Sequence, residues 1–261
     1  MTSYRITQRT GLAGGFFHLL AETDTPPGKV RPGSFVMIRC ADGTDPYLRR
    51  PMSVADFAPD GARIGLLIQN VGRGTGLLAQ KSVGDTLDVI GPFGTGLFVT
   101  PEPGTKLWLV AGGTGIAPFL GYVENNDLSK SSAGTTLFLG ARREELLFFR
   151  DRFAAATDLD VALATEDGSA GEKGFVTAAM ERRLANGERP DLIYTCGPTP
   201  MMKGVAAFAK RIGARCMVSL ENRMACGFGA CLGCVQKVAG KEDYTTVCKR
   251  GPVFDAQEIE L

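Results

Sequence analysis

The stretch Leu107-Trp108-Leu109-Val110-Ala111-Gly112-Gly113-Thr114-Gly115-Ile116-Ala117-Pro118 decides how the rest of the chain is read. Five apolar residues in a row describe a strand buried on both faces, and such strands belong to parallel sheets covered by helices. The glycine turn that follows opens a helix. Small residues at Gly112, Gly113, Thr114 and Gly115 let a pyrophosphate approach the backbone. The helix start adds unpaired N–H groups and a positive dipole end. The pattern is not G-x-G-x-x-G, so the usual dinucleotide fingerprint is absent, and close strand–helix packing alone would also call for such glycines.

Outward from this turn the same grammar repeats. Thr135-Thr136-Leu137-Phe138-Leu139-Gly140, Leu159-Asp160-Val161-Ala162-Leu163-Ala164 and Asp191-Leu192-Ile193-Tyr194-Thr195 read as strands, with helical stretches over 144–155 and 199–211. Apolar strands alternating with helices imply a doubly wound parallel sheet. Ligands of such sheets bind beyond the carboxyl ends of strands. Cys196, Gly197 and Pro198 are therefore expected at the crevice, with Cys196 near a nicotinamide; a strand-end cysteine buried in the core is the alternative.

Residues 1 to about 100 have a different character. Ser34-Phe35-Val36-Met37-Ile38, Ile64-Gly65-Leu66-Leu67-Ile68 and Thr86-Leu87-Asp88-Val89-Ile90 are short β-rich runs separated by Pro26-Pro27-Gly28, Ala41-Asp42-Gly43 and Pro59-Asp60-Gly61. That spacing suggests a small antiparallel β-barrel. Pro101-Glu102-Pro103-Gly104 breaks the pattern. The expected domains are a barrel over 1–100, an α/β domain over 101–215 and a C-terminal appendage over 216–261.

The appendage holds the most specific signal. Cys226-Gly227-Phe228-Gly229-Ala230-Cys231-Leu232-Gly233-Cys234, with Cys248 fourteen residues further on, spells C-x4-C-x2-C…C. This is the plant-type spacing for a [2Fe–2S] cluster held by four thiolates. Gly227, Gly229 and Gly233 would supply the positive φ that turns amides toward the sulfurs. A four-cysteine zinc site more often shows two C-x2-C knuckles, and only one is present. Disulfides are the other rival, but seven cysteines is an odd number and a chain of 261 residues needs no covalent staples.

Bulk composition excludes other classes. The chain is 44% hydrophobic and 22% charged with a net charge of +1, which leaves no basic footprint for nucleic acid. No run approaches the ~18 apolar residues of a membrane span. The N-terminal MTSYRITQRT lacks an apolar export region, and reduced cysteines suit the cytoplasm. Glycine, at 34 residues, is about twice its ordinary share and is concentrated in a few dense turns.

Two barrel motifs look built for a phosphorylated ligand. Arg49-Arg50-Pro51-Met52-Ser53-Val54 enters a strand, and an arginine fork suits a diphosphate while Ser53 could reach a flavin ring nitrogen, although by itself the stretch reads by default as a solvated arginine and a strand serine. Gly72-Arg73-Gly74-Thr75-Gly76 precedes an apolar helical run and offers another amide-rich start, although an ordinary glycine turn reads the same way. Remaining standouts are read as structural: His18, the only histidine, in an apolar strand; Cys40 and Cys216 as core thiols; Trp108 as packing. Arg142 could approach an adenosine ribose, while Glu144 and Glu145 look like a solvated helix start.

Taken together, R-P-x-S and G-x-G-T followed by G-G-T-G-I-A-P and C-G-P resemble the ferredoxin–NADP reductase superfamily over residues 1 to about 215. The resemblance implies FAD on the barrel, at Arg50, Pro51, Met52, Ser53, Leu67, Ile68, Gln69, Gly74 and Thr75, and a nicotinamide nucleotide, NAD, on the sheet. Met52 stands where an aromatic residue is frequent. Glu221-Asn222-Arg223-Met224-Ala225-Cys226 with the cysteines after it, and Glu166-Asp167-Gly168-Ser169 with Lys173-Gly174-Phe175-Val176-Thr177, resemble the electron-transfer subunits of class 1B dihydroorotate dehydrogenases over the whole chain. Related subunits of sulfide dehydrogenase and bifurcating transhydrogenase often carry aspartate where this chain has Cys226. The resemblance implies electron transfer from an FMN-containing catalytic subunit through the [2Fe–2S] cluster at Cys226, Cys231, Cys234 and Cys248 and through FAD to NAD+, in pyrimidine synthesis. It also implies a heterotetramer with two copies of each subunit.

Overall fold

The computed structural model describes residues 1–261, with the side chain of Ser131 excepted. Its first half is a closed six-stranded antiparallel barrel in the order β1-β2-β5-β4-β3-β6. The strands are β1 (Thr2–Gly11), β2 (Phe16–Glu22), β3 (Phe35–Ile38), β4 (Arg50–Phe57), β5 (Arg63–Gln69) and β6 (Thr86–Phe93). A short helix α1 (Arg73–Ala79) lies between β5 and β6. Alternate residues point inward, so Tyr4, Ile6, Leu19, Ile38, Val54, Ile64, Leu66 and Val89 fill the interior. Each such side chain contributes about 1.5–3 kcal/mol of burial.

The second half is a seven-stranded sheet in the order β10-β9-β8-β7-β11-β12-β15. In chain order its elements begin with β7 (Leu107–Gly112), α2 (Ala117–Asn125), α3 (Leu128–Ser131) and β8 (Thr135–Ala141). Then come α4 (Arg150–Ala154), β9 (Leu159–Thr165), β10 (Glu172–Lys173), α5 (Val176–Ala185), β11 (Leu192–Cys196), α6 (Thr199–Ile212) and β12 (Arg215–Ser219). These six strands run parallel. Trp108, Val110 and Phe138 pack toward α5 and α6 on one face, while Leu107, Leu109 and Leu137 pack toward α2 and α4 on the other. Helices therefore cover both faces, as the continuous apolar strands require.

The C-terminal segment is woven into this sheet. After a hairpin of β13 (Val235–Lys237) and β14 (Tyr244–Thr246) and a turn of helix α7 (Val247–Arg250), β15 (Val253–Asp255) returns antiparallel against β12. The boundary expected near residue 215 thus falls at the start of β12, and the last strand of the sheet comes from beyond it. The same segment is stitched to the barrel: the Thr95 hydroxyl donates to the Lys249 carbonyl at 2.6 Å, and the Thr95 and Gly96 amides donate to the Gly251 carbonyl.

One local expectation changes. The helix expected over 144–155 is broken: a 3-10 turn covers Glu144–Leu146 and α4 covers only Arg150–Ala154. Between them Phe148 is buried against Phe16 of the barrel with ring centroids 4.6 Å apart, and Phe149 takes φ 59°. Burying that aromatic at the domain junction outweighs the continuous helical bonding that local propensity would give.

Candidate functional site

Barrel and sheet meet in a cleft of about 730 Å³. From β4 come Arg50, Pro51, Met52 and Ser53; from β5 come Leu67, Ile68 and Gln69; from α1 comes Thr75. The α/β half contributes Thr114 and Ala117, and the far wall is Leu220, Glu221, Asn222, Arg223, Met224 and Pro252. Eight of the nine barrel positions singled out from sequence line this one space. Gly74 does not, but a side chain there would meet the Arg50 Nε at 2.9 Å and the Cys40 sulfur at 3.1 Å. Its lack of one lets α1 rest on the arginine.

The two arginines of the R-R-P-x-S stretch are separated by their partners. Arg49 grips both oxygens of Asp88 at 2.9 Å and is spent on holding β6. Arg50 donates to the Leu48 carbonyl at 2.7 Å and otherwise faces the cleft. The Thr75 hydroxyl accepts from the Val71 and Gly72 amides and donates to the Gly72 carbonyl, so it closes its own turn.

The glycine turn and the C-G-P turn are brought into direct contact. Ala111 pairs with Cys196 across β7 and β11. A side chain on Gly115 would overlap the Cys196 carbonyl, and one on Gly197 would meet the Gly112 carbonyl at 2.9 Å. Gly112 lies against Met201 and Pro198, and Gly113 has φ 57°. The turn first coils as a 3-10 helix over Gly113–Ile116 and then runs into α2. Cys196, expected at the open crevice, is only 2% exposed. Burial, with the Glu221 carboxylate nearby and against a hydrogen bond to Ser219, pushes its thiol up to about 12, so it stands as a neutral, enclosed group.

Glu221 is the residue that the choice of site positions missed. Its surface opens into the cleft, yet the walls crowd its carboxylate, and that loss of solvation raises its pKa against a 3.4 Å hydrogen bond donated by the Thr114 hydroxyl. Next to it, Asn222 donates to the Val235 carbonyl at 3.0 Å, tying the cleft wall to the cysteine hairpin. The sequence signal was the Glu221-Asn222-Arg223 run preceding the cysteines.

The cysteine loop lies immediately beyond that wall. The Cys231 amide donates to the Cys226 sulfur at 3.5 Å, and the Cys248 amide donates to the Cys234 sulfur at 3.3 Å. The hairpin explains the long gap in the motif: Val235 pairs with Thr246, which places Val247 opposite Cys234 and Cys248 one step on. Gly227 and Gly229 have φ of 83° and 90°, as expected. Gly233 does not take positive φ; Leu232 does, at 53°, while Gly233 leaves room beside the Cys231 sulfur.

These thiols suit a di-iron cluster. They stand as two neighbouring pairs, Cys226 with Cys231 and Cys234 with Cys248, a four-thiolate set of the kind that would hold two irons. Burial raises the Cys226 thiol, but amides of Cys231, Phe228 and Ala230, with the Cys231 thiol, outweigh it and hold the group down to about 6. Burial, then Cys234 and Cys226, push Cys248 up to about 12. Four thiolates crowded this closely repel one another unless cationic iron lies between them.

Comparison with known proteins agrees with the geometry. The profile of the iron–sulfur cluster binding domain of dihydroorotate dehydrogenase B matches residues 221–260, and that of the oxidoreductase NAD-binding domain matches residues 109–207. The dihydroorotate dehydrogenase B (NAD+) electron transfer subunit of Bacillus caldolyticus is 40% identical over 234 residues, covering 88% of this chain and 87% of that protein. The chain belongs to the family of dihydroorotate dehydrogenase B electron transfer subunits. Another member, from Shouchella clausii, is 34% identical over 259 residues and covers 98% of this chain and 96% of its own length. Outside that name, the structure of an NADH-dependent reduced ferredoxin–NADP oxidoreductase superposes with a TM-score of 0.85 at 31% identity, covering 98% of this chain and 89% of that one. A Neisseria gonorrhoeae ferredoxin–NADP+ reductase with bound FAD and NADP shares the fold, with a TM-score of 0.70 at 20% identity over 81% of this chain and 91% of its own. Among the described residues of this family member no helix is long and apolar enough to cross a membrane.

Proposed function

We propose that the chain is the electron transfer subunit of an NAD-linked dihydroorotate dehydrogenase and serves pyrimidine synthesis. A catalytic partner oxidises dihydroorotate to orotate, and the electrons leave through this chain to NAD+. The observation that carries the reading is adjacency: one wall, Glu221–Met224, separates a barrel-lined cleft from four paired cysteine thiols.

In this reading residues 1–100 hold FAD, 101–215 hold NAD, and 216–261 hold a [2Fe–2S] cluster through Cys226, Cys231, Cys234 and Cys248. The Arg50 guanidinium neutralises the flavin diphosphate, and the Ser53 hydroxyl and the strand end Leu67-Ile68-Gln69 orient the ring. The turn Gly112–Gly115 and the packed turn Cys196–Pro198 carry the nicotinamide nucleotide at the carboxyl ends of β7 and β11. Cys196 supports that turn as packing. A bound flavin links the two-electron chemistry of nicotinamide to the one-electron chemistry of the cluster. The chain's own task is to fix the distances among the three groups and to keep water from the seam between them.

The partner is an FMN-containing catalytic subunit, joined as a heterotetramer with two copies of each chain in the cytoplasm. It docks on the cysteine loop, where Cys231 is exposed and Phe228, Leu232, Val235 and Tyr244 form an apolar surround that is 43–64% exposed.

Anaerobic purification with iron supplied tests the assignment. The expected sample is yellow-brown, contains two irons and one FAD per chain, and gives a rhombic EPR signal after NADH reduction. It oxidises dihydroorotate only when the catalytic subunit is added. A colourless protein holding one zinc overturns the reading.

A further inference from the structure

Behind the cleft, where barrel and sheet meet a second time, a partly exposed charged cluster closes over the buried Asp56. Arg152 on α4 donates to an Asp56 oxygen at 2.8 Å and, through two nitrogens, to both Glu124 oxygens at 2.8 and 2.7 Å. The Asp56 side chain is 5% exposed, and its other oxygen is held by Arg63 at 3.2 Å. The Arg152 guanidinium also lies 5.7 Å over the Phe149 ring. One guanidinium thus joins β4, through Asp56, to the last turn of α2, through Glu124.

Both elements reach the cleft at their other ends. β4 presents Arg50 to Ser53 there, and the first residue of α2, Ala117, stands there beside Thr114. Between cleft and clamp α2 lies directly on β4, with Gly121 against the Phe57 ring and the Ala55 carbonyl. Apolar contacts of that kind resist separation but permit sliding. A forked guanidinium satisfied by carboxylates of both elements adds direction.

We propose that Arg152, clamped between Asp56 and Glu124, is a positioning residue for hydride transfer, fixing the angle at which α2 crosses β4 and with it the approach of nicotinamide to flavin. This rests on the reading that FAD and NAD meet in the cleft. The step is NADH + FAD → NAD+ + FADH⁻, a hydride leaving the nicotinamide with both electrons of its C–H bond. From Ala117 to Glu124 the helix spans roughly 10 Å at 1.5 Å per residue, so rocking by ~5° moves the cleft end by roughly 1 Å. Hydride transfer needs the reacting atoms about 3–3.5 Å apart, and a 1 Å misplacement can cost about a hundredfold.

The experiment uses the holoprotein with flavin and cluster in place and follows flavin bleaching by NADH in a stopped-flow instrument. For Arg152→Gln the rate at saturating NADH is expected to fall about tenfold or more. The apparent NADH affinity should change less than about twofold, and the isotope effect with C4-deuterated NADH should rise. Arg152→Lys restores part of the rate. Hydrogen exchange, which needs no turnover, should show faster exchange across α2 in Arg152→Gln. Glu124→Gln, which leaves Asp56 paired with both arginines, should give the same pattern more mildly if Arg152→Gln does not fold. A lower melting temperature with unchanged rate, isotope effect and α2 exchange overturns the positioning role. Wild-type flavin that NADH fails to bleach would instead overturn the cofactor reading, and α2 exchange would then decide the clamp by itself.

Discussion

Cys231 shows how a single side chain can separate the parts of the relay. It is the exposed cysteine of the loop, while Cys234 and Cys248 are buried, so its replacement disturbs the core least. Cys231→Ser is expected to abolish transfer to and from the catalytic partner while NADH still bleaches the flavin; loss of both activities together would mean that the cluster also supports the flavin cleft. His18 gives a prediction in pH. It is 5% exposed with no hydrogen-bond partner at Nε2, and burial, partly opposed by Asp56 and reinforced by Arg152, lowers its pKa to about 4. Unfolded, it titrates near 6.5, so between those values the unfolded chain binds more protons than the native one. The stabilisation is full above about 6.5 and is lost as pH falls toward 4, by at most about 3 kcal/mol at 1.36 kcal/mol per pKa unit. Urea midpoints of the wild type should therefore drop more steeply than those of His18→Leu between pH 7 and 4.5; parallel curves would refute this. The iron–sulfur region was legible because cluster chemistry imposes a cysteine spacing that few other structures need. Glu221 was not chosen as a site residue, because only its placement against Thr114 and the cleft gives it a role.

At the scale of elements, α2 against β4 is the decisive contact. In an isolated helix Gly121→Ala would add about 1 kcal/mol. Here a methyl group would press on the Phe57 ring and come within 3.1 Å of the Ala55 carbonyl, and overpacking costs about 1–3 kcal/mol. The net expectation is a melting temperature lowered by a few degrees, checked by calorimetry; a raised value would show that the seam can yield. Strands such as β7 and β8 could be placed from sequence because both of their faces are apolar. The break between Glu144–Leu146 and α4 could not, because it exists for the sake of Phe148 on Phe16, a contact with a strand more than a hundred residues away. Likewise β15 is three residues long and becomes a strand only because β12 offers an edge.

For the whole molecule, the exposed apolar surround of the cysteine loop predicts where assembly happens. Leu232→Asp should weaken association with the catalytic subunit by about tenfold or more in a binding titration, because it puts a charge into the centre of a desolvated contact. NADH reduction of the flavin should be unaffected, and unchanged binding would move the interface elsewhere. The sequence by itself determined the chemistry and the classes of element. Cluster spacing, glycine turns and strand periodicity are local patterns, written within a few residues of one another. Only the tertiary structure decided that Arg49 is paired with Asp88 while Arg50 meets the cleft with no carboxylate partner among the described residues, that Cys196 is enclosed, that one wall serves both cleft and cluster, and that Arg152 spans two domains. Each of these is a choice among partners distant along the chain, and burial and charge satisfaction settle such choices only once the whole core has closed.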